Sequence, residues 1–222
     1  MTINETLDLA TIAKVNKPKR FFLPFDQQII QDALTKAYQA EVYQRGGTDA
    51  QCNEAIIKDM ARWLTDPDGK PGLLLYGSVG TGKTTALYAL RRVINAACKA
   101  ERDDNTLLGY GKSVIEIVKA KEIVEAYTQV PMHYSNMKRV DLLAIDELGV
   151  ENVDVKNYGN ASEPIIDLLS HRYDKMKITI ISSNLTMKQI TDRYGLRLAD
   201  RFQEMFHKVA FVGPSYRGIG NP

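Results

Sequence analysis

Residues 77–84 read Gly77-Ser78-Val79-Gly80-Thr81-Gly82-Lys83-Thr84, and the apolar run Leu73-Leu74-Leu75-Tyr76 comes directly before them. This octapeptide, called the P-loop below, completes the pattern G-x-x-x-x-G-K-[ST], which joins a strand to a helix. Backbone amides of such a turn converge at a helix N-terminus, where the helix dipole favours anions. The pattern therefore predicts a binding site for the phosphates of a nucleoside triphosphate.

Positions in and just after the P-loop have separate expected roles. The three glycines permit a tight, partly left-handed turn and let the backbone approach the phosphates. We expect Lys83 to reach the β- and γ-phosphates and the Thr84 hydroxyl to coordinate magnesium. Thr85 is a candidate contact to the α-phosphate. The whole segment 77–85 is thus predicted to bind the nucleotide.

A second segment brings acidic residues to the end of a predicted buried strand. It reads Asp141-Leu142-Leu143-Ala144-Ile145-Asp146-Glu147. Open α/β sheets bind ligands at the carboxyl ends of their strands. We expect Asp146 to hold magnesium, directly or through its waters, and Glu147 to polarise the water that attacks the γ-phosphate. Alone, the segment also fits a strand that ends in two solvated acids, but the P-loop upstream favours the catalytic interpretation.

The next predicted strand, 177–182, is followed by Ser183 and Asn184. Because this strand is expected beside the acidic one, Asn184 could orient the attacking water or contact the γ-phosphate. An ordinary turn asparagine is the alternative interpretation.

Three arginines, Arg193, Arg197 and Arg201, are spaced at i, i+4 and i+8 late in the chain. An arginine that completes the active site of a neighbouring subunit would stabilise transition-state charge on the transferred phosphoryl group. The alternative is an exposed helix on which these arginines pair with Asp192 and Asp200.

The remaining pattern predicts an α/β fold of the P-loop NTPase type. Strands alternate with helices after the P-loop, which indicates a parallel sheet flanked by helices. We predict two regions: 1–70, a basic arm and helices that form a candidate partner-binding region, and 71–222, the nucleotide-binding core. Within the core, 131–138 is predicted as a polar connection and Ser162 as the N-cap of the next helix.

Composition limits the function classes. The chain has 222 residues, 44% of them hydrophobic, and a formal charge of +2, which suits one globular domain with a small appendage. The net charge is too low to indicate nucleic-acid binding by the whole protein surface. Any contact with nucleic acid must therefore use a local basic patch or a surface formed when subunits assemble. No apolar run reaches membrane-spanning length and no leader pattern is present, so we expect a cytoplasmic protein without a membrane partner.

Four segments taken together resemble the AAA+ ATPases of the DnaC/DnaI helicase-loader and IstB transposition-helper group. They are the P-loop, the stretches 140–149 and 180–185, and the arginine-rich stretch ending in Asp200-Arg201-Phe202. The closing Gly213-Pro214-Ser215-Tyr216-Arg217 also resembles that group. The similarity covers roughly 72–217.

This resemblance implies an ATPase that uses ATP and Mg²⁺. Asn184 matches the sensor 1 residue, and Arg201 matches the arginine finger that acts on the nucleotide of the next subunit. Arg197 is a possible substitute for Arg201, and Arg217 is a weaker match to a second phosphate sensor. Members of the group assemble and bind single-stranded or duplex DNA, so the resemblance implies a homo-oligomer that works with a replicative helicase or a transposase-like protein.

Two departures concern the ends of the sequence. Helicase loaders carry an N-terminal helicase-binding domain, in some cases a zinc-binding one, whereas Cys52 and Cys98 lack the spacing of a zinc module. Few residues follow Arg201, so we expect no full helical lid. The basic arm Lys14-Val15-Asn16-Lys17-Pro18-Lys19-Arg20 is a candidate contact to DNA or to the partner, although most such runs are merely solvated.

Two other function classes stay open at this stage. A P-loop kinase of a small metabolite would share the phosphate site but need an acceptor site, and a water-activating Glu147 fits hydrolysis better. An interaction switch that binds ATP and barely hydrolyses it is the other class.

Overall fold

The computed structural model of the chain describes residues 20–47, 53–102, 115–157, 160–213 and 215–216. The described residues form seven strands and eight helices. The strands are β1 (Gly72–Gly77), β2 (Glu116–Lys119), β3 (Leu142–Leu148), β4 (Val155–Asn157), β5 (Asn160–Ser162), β6 (Ile178–Ser183) and β7 (Phe206–Phe211). The helices are α1 (Gln27–Gln44), α2 (Glu54–Thr65), α3 (Lys83–Arg102), α4 (Ala120–Gln129), α5 (Pro131–Arg139), α6 (Pro164–Asp174), α7 (Met187–Tyr194) and α8 (Leu196–Met205).

Five strands pair in parallel in the order β2-β3-β6-β1-β7, while β4 and β5 form a separate antiparallel pair. The central strands β1, β3 and β6 are almost entirely buried, because helices cover both faces of the sheet. This arrangement brings the carboxyl ends of β1, β3 and β6 to one edge. The P-loop begins at the end of β1, Asn184 follows β6, and the acidic pair Asp146-Glu147 lies in the last residues of β3.

The N-terminal helices belong to the same apolar core as the sheet. Leu34 and Tyr38 of α1 and Met60 of α2 lie in one buried cluster with Leu73 and Leu75 of β1. Side-chain caps begin both helices, because the Asp26 carboxylate accepts from Gln28 N in α1 and Asn53 from Ala55 N in α2. The predicted boundary near residue 70 thus falls inside a continuous core, and its functional meaning stays a prediction.

Two local predictions are wrong. The segment 131–138 is not a connection but forms most of α5. Pro131 stands in the first turn of this helix, where the backbone N–H that proline lacks would have no intrahelical acceptor. The helical period was hidden because only Tyr134 and Met137 of this helix are buried. Ser162 is the last residue of β5 rather than an N-cap, and its Oγ accepts from the Tyr127 hydroxyl at 3.0 Å. Glu163 occupies the cap position of α6 without a side-chain cap bond.

The basic arm lies outside the described residues except for Arg20. Its guanidinium donates to the backbone oxygens of Trp63, Asp66 and Lys70 and lies 5.3 Å from the centre of the Trp63 ring. Arg20 therefore fastens the chain to the end of α2. Within the described ranges, no helix is long and apolar enough to span a membrane.

Candidate functional site

The P-loop backbone follows the left-handed geometry that its glycines allow. Gly77 has φ of 142° and Gly82 has φ of 90°. A Cβ at Gly77 would lie 2.2 Å from the Phe211 backbone oxygen, and one at Gly82 would lie 2.2 Å from the Tyr38 hydroxyl. Both positions therefore need glycine for space as well as for conformation. The turn is enclosed by β7 on one side and by α1 on the other.

Lys83 lies inside this turn. Its Nζ donates to the Gly77 oxygen at 2.9 Å and to the Ser78 oxygen at 2.6 Å, and the residue is only 6% exposed. Thr81 Oγ1 donates to the same Ser78 oxygen at 2.8 Å. The loop thus holds an ammonium group at the point where the amides of the helix N-terminus converge, which suits a polyphosphate. Ser78 and Val79 are the exposed residues of the turn.

Thr84 and Asp146 meet across the site. Thr84 Oγ1, in the first turn of α3, donates to Asp146 Oδ1 at 3.1 Å near the end of β3. Asp146 is 3% exposed. A hydroxyl and a carboxylate oxygen side by side are hard donors of the kind that Mg²⁺ takes together with substrate phosphates. The residues present therefore fit the predicted metal.

Ser182 on β6 connects the two acidic residues. Its hydroxyl donates to Asp146 Oδ1 and accepts from the Glu147 backbone N–H at 3.0 Å. The register Ile145↔Ile181 places Ser182 beside Asp146, so the contact depends on the pairing of β3 with β6. Ser182 was not among the residues predicted for the site. A polar residue at the carboxyl end of a buried strand was the only signal available.

Glu147 has a left-handed backbone, with φ of 59°, and is partly exposed. The register between β3 and β6 shifts between Ile145 and Leu148, so Glu147 stands on an irregularity of the strand. A non-glycine residue in this region is held at some cost in strain, which is common at functional sites.

Asn184 is exposed immediately after β6. The turn that carries it is fixed by Ser183, whose Oγ donates to the Leu148 oxygen at 2.7 Å and accepts from Leu185 N at 3.1 Å. Asn184 therefore lies at the same edge of the sheet as Glu147, just after the neighbouring strand.

The predicted finger Arg201 lies on α8 against α6. Its Nη2 is 3.4 Å from Asp174 Oδ1, and its guanidinium carbon is 5.0 Å from the centre of the Tyr173 ring. In the described part of the chain, Arg193 and Arg201 form ion pairs with Glu151 and Asp174 and not with the expected alternatives Asp192 and Asp200. Arg197 is exposed. Arg217 lies outside the described residues.

Arg193 belongs to a buried cluster that the sequence did not reveal. Its Nη2 donates to the Glu151 backbone oxygen, and the buried Glu151 carboxylate accepts from Gly149 N at 2.8 Å and from the Tyr194 hydroxyl. Burial, followed by the charge of Glu151, raises the pKa of Tyr194, so this phenol stays a donor. The cluster ties the turn after Glu147 to the end of α7.

Comparison with known proteins places this site in a family. A family model for IstB-like ATP binding proteins matches residues 48–219. Among solved structures, DnaI is 20% identical, with 87% of this chain and 86% of that chain covered and a TM-score of 0.50. A proposed primosome component from Streptococcus pyogenes serotype M3 is 17% identical, with 84% and 99% covered and a TM-score of 0.52.

At these identities the two structures show the fold alone, and they confirm the predicted α/β P-loop NTPase fold. No curated protein sequence matches the chain. Because the family model covers most of the chain, from before α2 to the region beyond β7, the chain belongs to the IstB-like ATP-binding protein family, as the resemblance of its motifs implied.

Proposed function

We propose that this ATP-binding protein is a Mg²⁺-dependent ATPase that acts on DNA as a homo-oligomer, either to load a replicative helicase or to assist a mobile-element machine. One observation carries the proposal of hydrolysis. Thr84, Asp146 and Ser182 form one hydrogen-bonded chain that ends at the backbone N–H of Glu147. This chain joins the expected metal ligands to the expected catalytic base.

The residues divide the reaction between binding and proton transfer. Lys83 and the P-loop amides hold the β- and γ-phosphates, and Thr84 and Asp146 hold the metal. Mg²⁺, when bound, would neutralise charge that develops on the phosphate oxygens. Glu147 orients a water for attack on the γ-phosphorus and accepts its proton, while the bond to the β–γ bridging oxygen breaks and ADP leaves. Asn184, just after the adjacent strand β6, orients the same water or contacts the γ-phosphate.

Arg201 is proposed to act on the nucleotide of a neighbouring subunit. Its partner Asp174 has a side chain that is 58% exposed, so the ion pair at 3.4 Å is weak and can be exchanged for a phosphate. The Arg201 side chain is 16% exposed, and its contact with the Tyr173 ring holds the guanidinium between α8 and α6 before assembly. Hydrolysis then depends on the contact between subunits, because a finger supplied by a neighbour stabilises the transition state.

The proposed partners follow from the family and from charge. With a net charge of only +2, one subunit offers little general attraction for a phosphate backbone. DNA binding is therefore proposed to be a property of the assembly, for single-stranded or duplex DNA. The region 1–70 is the proposed contact to the helicase or transposase-like protein, and such work on DNA implies a cytoplasmic protein.

The experiment is the ATPase rate per subunit, measured against protein concentration with and without single-stranded DNA. We expect the rate to rise with concentration or with DNA. Arg201→Ala should remove this rise, leave the ATP affinity of the subunit within about twofold, and lower the maximal rate by about 10³-fold. Arg197→Ala is the comparison variant and should retain the rise.

The outcomes that contradict the proposal are distinct. A rate per subunit that does not change with concentration or DNA rejects the assembly model. Loss of the rise in Arg197→Ala but not in Arg201→Ala would assign the finger to Arg197. Tight ATP binding without turnover would indicate a nucleotide switch, and transfer of the γ-phosphate to a small molecule would indicate a kinase.

A further inference from the structure

Arg45, at the end of α1, reaches the first turn of α3 next to the P-loop. Its Nη1 donates to Thr85 Oγ1 at 3.2 Å, and its guanidinium carbon lies 5.0 Å from the centre of the Tyr88 ring. Thr85 directly follows the P-loop and is the predicted contact to the α-phosphate. A group that contacts this hydroxyl therefore lies at the edge of the predicted phosphate site, although Arg45 is far from it in sequence.

The packing of α1 on α3 explains this position. Thr85, Tyr88 and Arg92 are spaced at i, i+3 and i+7, so they share the face of α3 that meets α1. Arg92, further along α3, donates to Glu41, while Arg45, further along α1, contacts Thr85. The two helices are therefore antiparallel, and the C-terminal end of α1 points at the P-loop end of α3.

The charges around Arg45 favour an anion. Among the described residues, Glu41 is the carboxylate that forms an ion pair with Arg45, and Arg92 already donates to Glu41. Arg45 Nη2 is 3.7 Å from Glu41 Oε2, beyond hydrogen-bonding distance. Arg91 adds a third guanidinium, 4.7 Å from the Tyr88 ring centre on the same helix. Arg45 and Arg92 thus share one buried carboxylate, and Arg91 lies against the same ring as Arg45, which leaves a local excess of positive charge.

Exposure and geometry suit a ligand contact. The Arg45 side chain is 42% exposed, so a ligand can reach it, and stacking on Tyr88 limits its movement. A guanidinium has five N–H donors in a fork that matches phosphate oxygens, and Thr85 takes one of them. We propose that Arg45 is a nucleotide-binding residue that contacts the α-phosphate together with Thr85. This inference rests on the proposed placement of ATP in the P-loop.

The test is the dissociation constant of Mg²⁺-ATP and of Mg²⁺-ADP, measured by calorimetry for the full chain and its variants. ATP and ADP share the α-phosphate, so Arg45→Met should weaken the binding of both by the same factor, about tenfold. Arg45→Lys should recover part of this loss because it restores the charge. Arg91→Met is the matched control, since it removes a guanidinium from the same ring but not the bond to Thr85, and both affinities should stay within about twofold.

Thr85→Val separates a ligand contact from a packing role. If Arg45 and Thr85 bind the phosphate together, the losses of affinity in the double variant will be smaller than the product of the two single losses. The unfolding midpoint without nucleotide should be similar for Arg45→Met and Arg91→Met, since both lose a stacked surface arginine.

Several results would overturn the inference. Unchanged affinities in Arg45→Met would show that the arginine does not contact the nucleotide. Equal losses in Arg45→Met and Arg91→Met would indicate a general field effect, and a loss confined to ATP would move the contact to the γ-phosphate. If the wild-type chain binds neither nucleotide, the proposed function fails as well, whereas normal wild-type binding with an unaffected Arg45→Met rejects this contact alone.

Discussion

A buried charged side chain lies at each end of β3, Arg172 of α6 at the start and Asp146 of the strand itself near the other end. The partners of the two charges differ in kind. At the start of the strand, the fully buried Arg172 donates to the backbone oxygens of Met137, Val140, Asp141 and Ile178 and to Thr179 Oγ1. At the other end, Asp146 accepts from the hydroxyls of Thr84 and Ser182.

This difference separates structure from function. Backbone oxygens are fixed by the fold, so the partners of Arg172 cannot be exchanged without unfolding. Burial lowers the pKa of Arg172 to about 9, opposed by the nearby Asp141, and the guanidinium therefore stays protonated at neutral pH. Hydroxyl groups rotate, so Thr84 and Ser182 can turn from Asp146 toward a metal or a phosphate. A buried charge whose partners are mobile side chains indicates a site that changes when its ligand binds.

The end of β3 around Asp146 is called the mobile end, and the end around Arg172 is called the fixed end. The largest expected effect lies at the mobile end. Glu147→Gln keeps the shape of the side chain but removes the carboxylate that is proposed to accept the proton of the attacking water. We expect kcat for ATP hydrolysis to fall by about 10³-fold, within the usual range for a general base, while ATP affinity stays within about twofold. Single-turnover hydrolysis and equilibrium binding measure the two quantities. Unchanged turnover would contradict the role of Glu147.

The second effect lies at the fixed end. Arg172→Met removes a buried guanidinium that donates to four backbone oxygens, of which the Asp141 oxygen keeps the Ile178 N–H as a donor. We therefore expect the free energy of unfolding to fall by about 3 kcal/mol. Urea denaturation without nucleotide measures it. Lys177→Met is the matched control, because Lys177 forms an ion pair with the partly exposed Asp141 at the same end of the strand, and its loss should change stability by less than about 1 kcal/mol.

A result in which Arg172→Met is as stable as the wild type would show that the carbonyl groups find other donors. If Arg172→Met is stable enough to purify, its ATP affinity should match that of the wild type, since none of its contacts reach the P-loop residues. A selective loss of ATP affinity would instead show that Arg172 influences nucleotide binding at the other end of β3, which would contradict the separation of a structural end from a functional end.

The mobile end could be predicted largely from the sequence, whereas the fixed end could not. The P-loop and Asp146-Glu147 are recognisable because phosphate and metal binding demand particular residue types at fixed spacing. Arg172 is an ordinary arginine on an amphipathic helix, and its burial depends on where α5, β3 and β6 converge. Such contacts join residues that are far apart in the sequence, so no local pattern indicates them. The same is true of the hydrogen bond from Arg45 to Thr85 and of the position of Ser182 beside Asp146.

The polar composition of the segment 131–138 led to a wrong prediction. Polar residues on most of α5 conceal a helix that packs through two side chains, because a short helix at the edge of the core buries too little to show a period. Tyr134 then anchors it to α6 through Asp167 and the Pro164 oxygen, which the sequence does not reveal.

The smallest effect sharpens the comparison along a single strand. β6 carries Thr179 at the fixed end, where its Oγ1 accepts from Arg172 at 2.9 Å, and Ser182 at the mobile end. Thr179→Val and Ser182→Ala each remove one buried hydroxyl, so each should lower the free energy of unfolding by about 1 kcal/mol. Only Ser182→Ala also releases the Glu147 backbone N–H and one partner of Asp146, so only this variant should lower kcat, by about tenfold. Urea denaturation and steady-state hydrolysis of both variants provide the measurement. Equal kcat values in the two variants would mean that Ser182 supports the fold as Thr179 does, and that Asp146 and Glu147 keep their geometry without it.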